Sequence, residues 1–219
     1  PWHTPEKNLY HLGPSGIQRI TKATWTEGAT AVIDLDLEWR TRSQNESDGE
    51  TILFETRRYE ISQNGPYTVI DHFSRLIPAG KEAVLEADRH SFCGVRVNDL
   101  IDVEEGGTML DSEGRKNPDG NYWDLEGDRK APRWVDCSGM VGSAEVGVTL
   151  IGHPANIRNQ FYMRPWGLME VSPMLGDDVA VSKEDPFEFA ARYLAHDGAV
   201  HLETTGQLYE EFSKRKFPL

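Results

Sequence analysis

Residues 31–41 read AVIDLDLEWRT, where Ile33, Leu35, Leu37 and Trp39 alternate with Asp34, Asp36 and Glu38. A period of two puts the apolar side chains on one face and the acids on the other, as in a strand covered on one side. The same grammar recurs along the chain. Residues 43–49 (SQNESDG) are a polar turn cluster and 51–61 (TILFETRRYEI) resume strand-type residues, so the two runs predict a hairpin with a long polar loop. Asn64, Gly65 and Pro66 mark a reversal before 67–77 (YTVIDHFSRLI), which Pro78, Ala79 and Gly80 close. Residues 83–85, 92–97, 134–137, 146–151, 162–166 and 187–195 are further short runs parted by Gly, Pro, Asn or Asp. Many short strands with turns between them predict an all-β fold, an antiparallel β-sandwich or barrel. Helix is expected only near the C-terminus, over 205–216, capped by Thr204 or Thr205 and packing through Leu208 and Phe212. The stretch 104–131 reads as long and irregular, either a functional loop or a surface insertion.

The 219 residues suit one domain, since no linker or repeat divides them. Acids outnumber bases, 36 to 23, for a net charge of −13. Such a chain lacks the basic surface that displaces counterions from a phosphate backbone, so nucleic acid is not an expected partner. Its apolar runs are far shorter than the ~20 residues of a bilayer span, and no membrane partner is expected either. Cys93 and Cys137 are the only cysteines, too few for a disulfide framework or a zinc set. Nothing near the start resembles a signal peptide, which leans the compartment toward the cytoplasm. The sequence opens Pro1-Trp2-His3 without a methionine, so a missing N-terminal segment is expected. Edge strands of a sandwich often pair, making a homodimer a reasonable expectation.

No nucleophile elbow, Walker loop, dinucleotide fingerprint, zincin helix or C-x-x-C occurs. The densest polar cluster is Gly152-His153-Pro154-Ala155-Asn156-Ile157-Arg158, followed by Tyr162-Met163-Arg164-Pro165-Trp166. It follows an apolar strand. There an imidazole, an amide and the guanidiniums of Arg158 and Arg164 suit an anionic or polyhydroxylated ligand, with His153 as proton shuttle and Tyr162 or Trp166 as a flat face for a sugar ring. A Pro-stiffened turn, in which His153 and Asn156 bond backbone groups, accounts for the same residues. Alternation also puts His90, Phe92, Gly94 and Arg96 on one strand face, where Arg96 needs an anionic partner, whether protein or substrate. Asp136 shares a face with Trp134 and could orient a histidine or accept sugar hydroxyls, while Cys137 points into packing. His72, His90 and His153 on neighbouring strands could hold a divalent metal, but their spacing gives no support for one, and no metal ligands are assigned.

At Trp134-Val135-Asp136-Cys137-Ser138-Gly139, at residues 147–158 and at Arg164-Pro165-Trp166-Gly167-Leu168, the chain resembles the PmoA-like family of bacterial β-sandwich proteins. Members show W-x-D-[YF]-S-G, D-H-P-x-N-x-R and W-H-x-R-x-Y-G-L in this order, and residues 92–97 with Asp102 resemble the family's G-x-R-V block. The likeness covers about residues 51–199. Gly152 stands where members have Asp, Cys137 where they have an aromatic residue, and Phe161-Tyr162 where they have Trp-His; an upstream H-x-H-P-H-H segment has no counterpart. The family's usual label is methane oxygenase, which would require a metal, but its members look more like carbohydrate-associated sandwiches of the mutarotase, or supersandwich, type. The resemblance therefore implies a carbohydrate-processing enzyme of lyase, epimerase or hydrolase type. In it His153, His90 and Asp136 would act as catalytic groups, and Arg96, Arg158, Arg164, Asn156, Tyr162 and Trp166 would hold the sugar. The alternatives are a non-catalytic carbohydrate-binding module, with Trp166, Tyr162 or Trp123 as stacking platforms, and a metal-dependent oxygenase.

Overall fold

The computed structural model describes residues 16–42, 48–90, 92–117 and 131–219. Its strands are β1 (Gly16–Thr26), β2 (Thr30–Arg42), β3 (Asp48–Asn64), β4 (Tyr67–Pro78), β5 (Glu82–Leu85), β6 (Cys93–Arg96) and β7 (Thr108–Asp111). Then follow β8 (Trp134–Val141), β9 (Ala144–Gly152), β10 (Phe161–Arg164), β11 (Leu168–Val171), β12 (Val179–Ser182), β13 (Phe187–Asp197) and helix α1 (Leu202–Ser213). Eight strands form one sheet in the order β1-β2-β3-β4-β13-β9-β8-β7, and two small sheets, β10-β11-β6 and β12-β5, lie apart from it. The fold is all-β, an antiparallel sandwich with a short C-terminal helix, as the alternation predicts.

Period two sorts the large sheet into two covered faces. On the first, Leu76, Met109, Val135, Cys137, Leu150, Phe187 and Phe189 pack against Phe161, Met163, Met169 and Val171 of the three-stranded sheet and Val179 and Val181 of β12. On the second, Phe73, Trp134, Ile151, Ala190 and Leu194 meet Leu208 and Phe212 of α1. The central strand β4 therefore has cover on both sides, and Asp71, His72, Phe73 and Ser74 are all buried in succession. A buried ion cluster fastens the helix to the second face. Arg192 grips both carboxylate oxygens of Asp71 and donates Nη1 to Leu208 O at 3.0 Å, while Arg215 bridges Asp71 at 2.6 Å and Glu60 at 2.8 Å.

Two expectations need correction. The helix starts earlier than Thr204, because His201 caps it: its Nδ1 accepts from the Thr204 N–H at 3.3 Å and lies 2.8 Å from Thr204 Oγ1, and Thr205 is buried inside the first turns. The expected strand over 92–97 is cut to Cys93–Arg96, since Phe92 adopts φ 86°. That left-handed residue breaks the alternation, so His90 does not share a strand face with Arg96. The stretch 104–131 contains β7, paired to β8 from Thr108↔Ser138 to Asp111↔Val135; Trp123 lies outside the described residues. Among the described residues, no helix is long and apolar enough to cross a membrane.

Candidate functional site

The small sheet ends at β6, and beyond that edge the first face of β1 to β4 opens into a pocket of about 200 Å³. Gln18, Trp39, Arg57, Tyr59, His72 and Tyr193 line it from the large sheet, and Phe92, Cys93 and Gly94 from the β6 side. Its volume falls below the ~300–1,000 Å³ of drug-sized sites, so it suits a small ligand. The polar side chains reach it because they occupy positions in phase with the core. Arg57 pairs with Ser74 across β3 and β4, and Tyr59 with His72, which pairs in turn with Ala191 of β13.

Beneath the pocket runs a continuous hydrogen-bonded chain. Glu55 accepts from Trp39 Nε1 (2.7 Å), from Arg57 Nε (2.7 Å) and Nη2 (2.8 Å), and from Ser74 Oγ (2.6 Å). Ser74 Oγ lies 2.9 Å from His72 Nε2, His72 Nδ1 3.3 Å from Cys93 Sγ, and Cys93 Sγ 2.6 Å from the Tyr193 hydroxyl. Burial holds His72 down to about 3, with the Arg57 charge adding to it, so the ring is neutral at physiological pH. Burial also pushes the Cys93 thiol up to about 12 and Tyr193 well above its ordinary value.

On the outer face of the small sheet, turned away from the large sheet by the alternation of Met169, Glu170 and Val171, the chemistry differs. Glu170 sits opposite Gly94 in the β11–β6 pairing, and its side chain lies across that glycine: a Cβ on Gly94 would stand 2.5 Å from Glu170 Cγ. Only a residue without a Cβ permits this approach. Glu170 Oε2 meets His90 Nδ1 at 3.1 Å, and the His90 ring packs edge-on to Tyr162, 4.8 Å between centroids. Burial pushes the Glu170 carboxyl up to about 7 and lowers His90. A carboxyl that titrates near neutrality beside an imidazole can give or take a proton at working pH.

The other residues singled out from sequence are dispersed. His153 lies under α1 between Phe212 and Phe217, its Nδ1 accepting from Ala155 N at 3.1 Å and its Nε2 facing Arg215 O at 3.1 Å. Both nitrogens are engaged by backbone, which is the turn role rather than the shuttle role. Asn156 exchanges two hydrogen bonds with the Ala190 backbone and so pins the same turn. Arg158 donates to Pro173 O and Asp177 O, fastening a loop. Arg96 is exposed, pairs with Asp99 and stacks over Trp166 at 5.0 Å. Arg164 lies over the Tyr162 ring at 5.6 Å, on the same outer face as the Glu170–His90 pair. Asp136 does meet a histidine, but it is His196: Nε2 and Oδ2 are 2.8 Å apart in a fully buried pair on the second face, with Thr149 Oγ1 also donating to Oδ2. That carboxylate raises His196 against the opposing effect of burial. Of the nine, His90, Tyr162 and Arg164 come together. Among the described residues no three His, Cys, Asp or Glu side chains gather as a metal-ligand set.

Sequence reading missed Glu55, Arg57, Tyr59, Ser74, Tyr193 and Glu170. A signal existed for most of them: Glu55, Arg57 and Tyr59 continue the inward phase set by Leu53, as Ser74 and His72 continue that of Leu76. Polar residues at core-phase positions mark either a network or a site.

The model of a family of unknown function, DUF6807, matches residues 1–210, and the chain belongs to that family. No curated protein matches the sequence.

Proposed function

We propose that this chain is a carbohydrate-processing enzyme acting by proton transfer on a sugar-sized ligand held at the β6 edge, a reading toward which its PmoA-like motifs also lean. The observation that carries it is the Glu170–His90 pair, a carboxyl pushed up to about 7 on the outer face of the small sheet, opposite Gly94 of the edge strand that borders the aromatic-walled pocket. Glu170 replaces His153 as the main proton-transfer group in this proposal, with His90 orienting it and sharing its proton. Trp39, Tyr59 and Phe92 offer flat faces against which the C–H side of a sugar ring packs. Lyase, epimerase and hydrolase steps each need a proton moved at one carbon or oxygen, and one carboxyl able to change state near neutrality supplies it. The test is turnover of a panel of sugars and glycosides by wild type, Glu170→Gln and His153→Ala. The proposal expects Glu170→Gln to lose ~10²-fold or more in kcat and His153→Ala to keep it; the reverse pattern would refute it.

A second reading, a non-catalytic sugar-binding module, is favoured by the pocket floor. There His72 is held at about 3 and Cys93 at about 12, so neither is poised to exchange protons at pH 7. Saturable binding with no turnover of any sugar, and affinity unaltered by Glu170→Gln, would select it.

A further inference from the structure

Burial and hydrogen-bond directions together fix the charge of the pocket floor. Ser74 has one hydroxyl proton and donates it to Glu55 at 2.6 Å. Its oxygen must then accept from His72 Nε2, and because burial keeps that ring neutral, Nδ1 is left as the acceptor of the Cys93 S–H. With that proton directed at His72, Cys93 Sγ accepts from the Tyr193 hydroxyl, so Tyr193 turns oxygen lone pairs toward the cavity it lines. Among the described residues, Arg57 is the one formally charged side chain in the lining. Its Nε and Nη2 close a two-point pair with Glu55, whose side chain is 0% exposed, and Nη2 also reaches Gln18 Oε1 at 3.3 Å. Glu55, with four donors on two oxygens, is saturated. The floor is therefore a neutral imidazole, a neutral thiol, a neutral phenol and an internally balanced ion pair.

Resting on the sugar-site reading above, we infer that this pocket selects an uncharged, polyhydroxylated ligand of monosaccharide size over the matching sugar acids and sugar phosphates. An anion entering here gives up its water and finds a guanidinium already matched by Glu55. It also meets the lone pairs of Tyr193, where an acceptor is repelled. The net charge of −13 adds a field of the same unfavourable sign, screened in solution over ~8 Å. A neutral sugar meets no such conflict: one hydroxyl donates to Tyr193, and the ring lies against Tyr59, Trp39 or Phe92.

Isothermal titration of the full chain at pH 7.5 tests this with matched probes: glucose, glucuronate and glucose 6-phosphate; galactose and galacturonate; mannose and mannose 6-phosphate. The expected result is that a neutral member binds at least ~10-fold more tightly than its acid or phosphate. Tyr193→Phe, which keeps the ring, should weaken that binding ~2–12-fold, one neutral hydrogen bond. A charged member binding as tightly as its neutral parent, still with dependence on Tyr193, overturns the charge selection and leaves the sugar site standing. Binding by no member, or binding indifferent to Tyr193→Phe in a variant with wild-type melting, overturns the sugar site and this inference with it.

Discussion

Replacing Glu170 by Gln should change how stability depends on pH, and the sign can be worked out. The folded carboxyl titrates at about 7 against an ordinary 4.5. Below pH 4.5 it is protonated in both folded and unfolded chains and contributes nothing. Between 4.5 and about 7 the unfolded chain releases the proton while the folded chain keeps it, so stability falls as pH rises. Above about 7 the whole cost is present. At ~1.4 kcal/mol per pH unit that cost approaches ~3 kcal/mol, and the 16% exposure of the side chain brings it to about 2–3 kcal/mol. The substituted amide cannot ionise, so the stability of Glu170→Gln minus that of wild type should climb by about 2–3 kcal/mol from pH 4.5 to 8, or ~4–12 °C in Tm. His90 pulls the other way: its ring is held below 6.5, so stability is lost as pH falls through that range. That contribution is present in both proteins and largely cancels in the difference. Urea denaturation at half-unit steps of pH reads it directly. A difference that stays flat within ~0.5 kcal/mol over that span refutes the buried, proton-holding carboxyl, and with it the main support for proton transfer by the Glu170–His90 pair.

Two Asp–Arg pairs with similar geometry should differ sharply in worth. Asp71→Ala removes the main charge partner of Arg192, 3% exposed, leaving it Leu208 O and Glu211 at 3.8 Å, and should cost ~3–5 kcal/mol, whereas Asp34→Ala at the part-exposed Arg58 pair should cost under ~1 kcal/mol; equal Tm losses would contradict the role given to burial. His153→Ala empties the space between Phe212 and Phe217 and frees the Ala155 N–H, so a loss of ~2–4 kcal/mol is expected, with sugar affinity unchanged in titration. Both thiols are pushed up to about 12, so a neutral thiol reagent at pH 8 should leave native Cys93 and Cys137 unmodified for hours and label both in urea, read by intact mass. Rapid native labelling would show that Cys93 is not the neutral donor its contacts require.

The strands most legible in sequence were those with one face in water. Residues 31–41 alternate because Asp34, Asp36 and Glu38 look outward, and the observed β2 runs Thr30–Arg42. β1 escaped notice because nearly all of it is exposed, so burial imposes no pattern on Ile17, Arg19, Thr21 and Lys22. β7, β11 and β12 are four residues each, too short for a period to declare itself. The helix was placed by its apolar residues, but its first turn was not, because a histidine rather than a threonine supplies the capping acceptor.

Chemical residues were harder to read because a dense motif and a functional site need not be the same thing. The segment from Gly152 to Arg158 is rich in polar types since it must turn a buried strand under the helix, and turning buried backbone takes partners: Asn156 for Ala190, His153 for Ala155 and Arg215. The pocket, by contrast, draws its chain from β3, β4, β6 and β13, with Cys93 and the tyrosine it touches 100 positions apart. Each member alone looks like a misplaced polar residue in a strand. Glu55, with two apolar positions beside it in sequence (Leu53 and Phe54) and buried to 2%, is the sharpest instance: a carboxylate at a core-phase position is retained only if several donors converge on it, and here four do. In-phase polar residues on adjacent strands are thus the pattern to look for in sheets of this kind, ahead of clusters in loops. Applied to Glu55, Arg57, Tyr59, His72 and Ser74, it leads to the floor of the pocket.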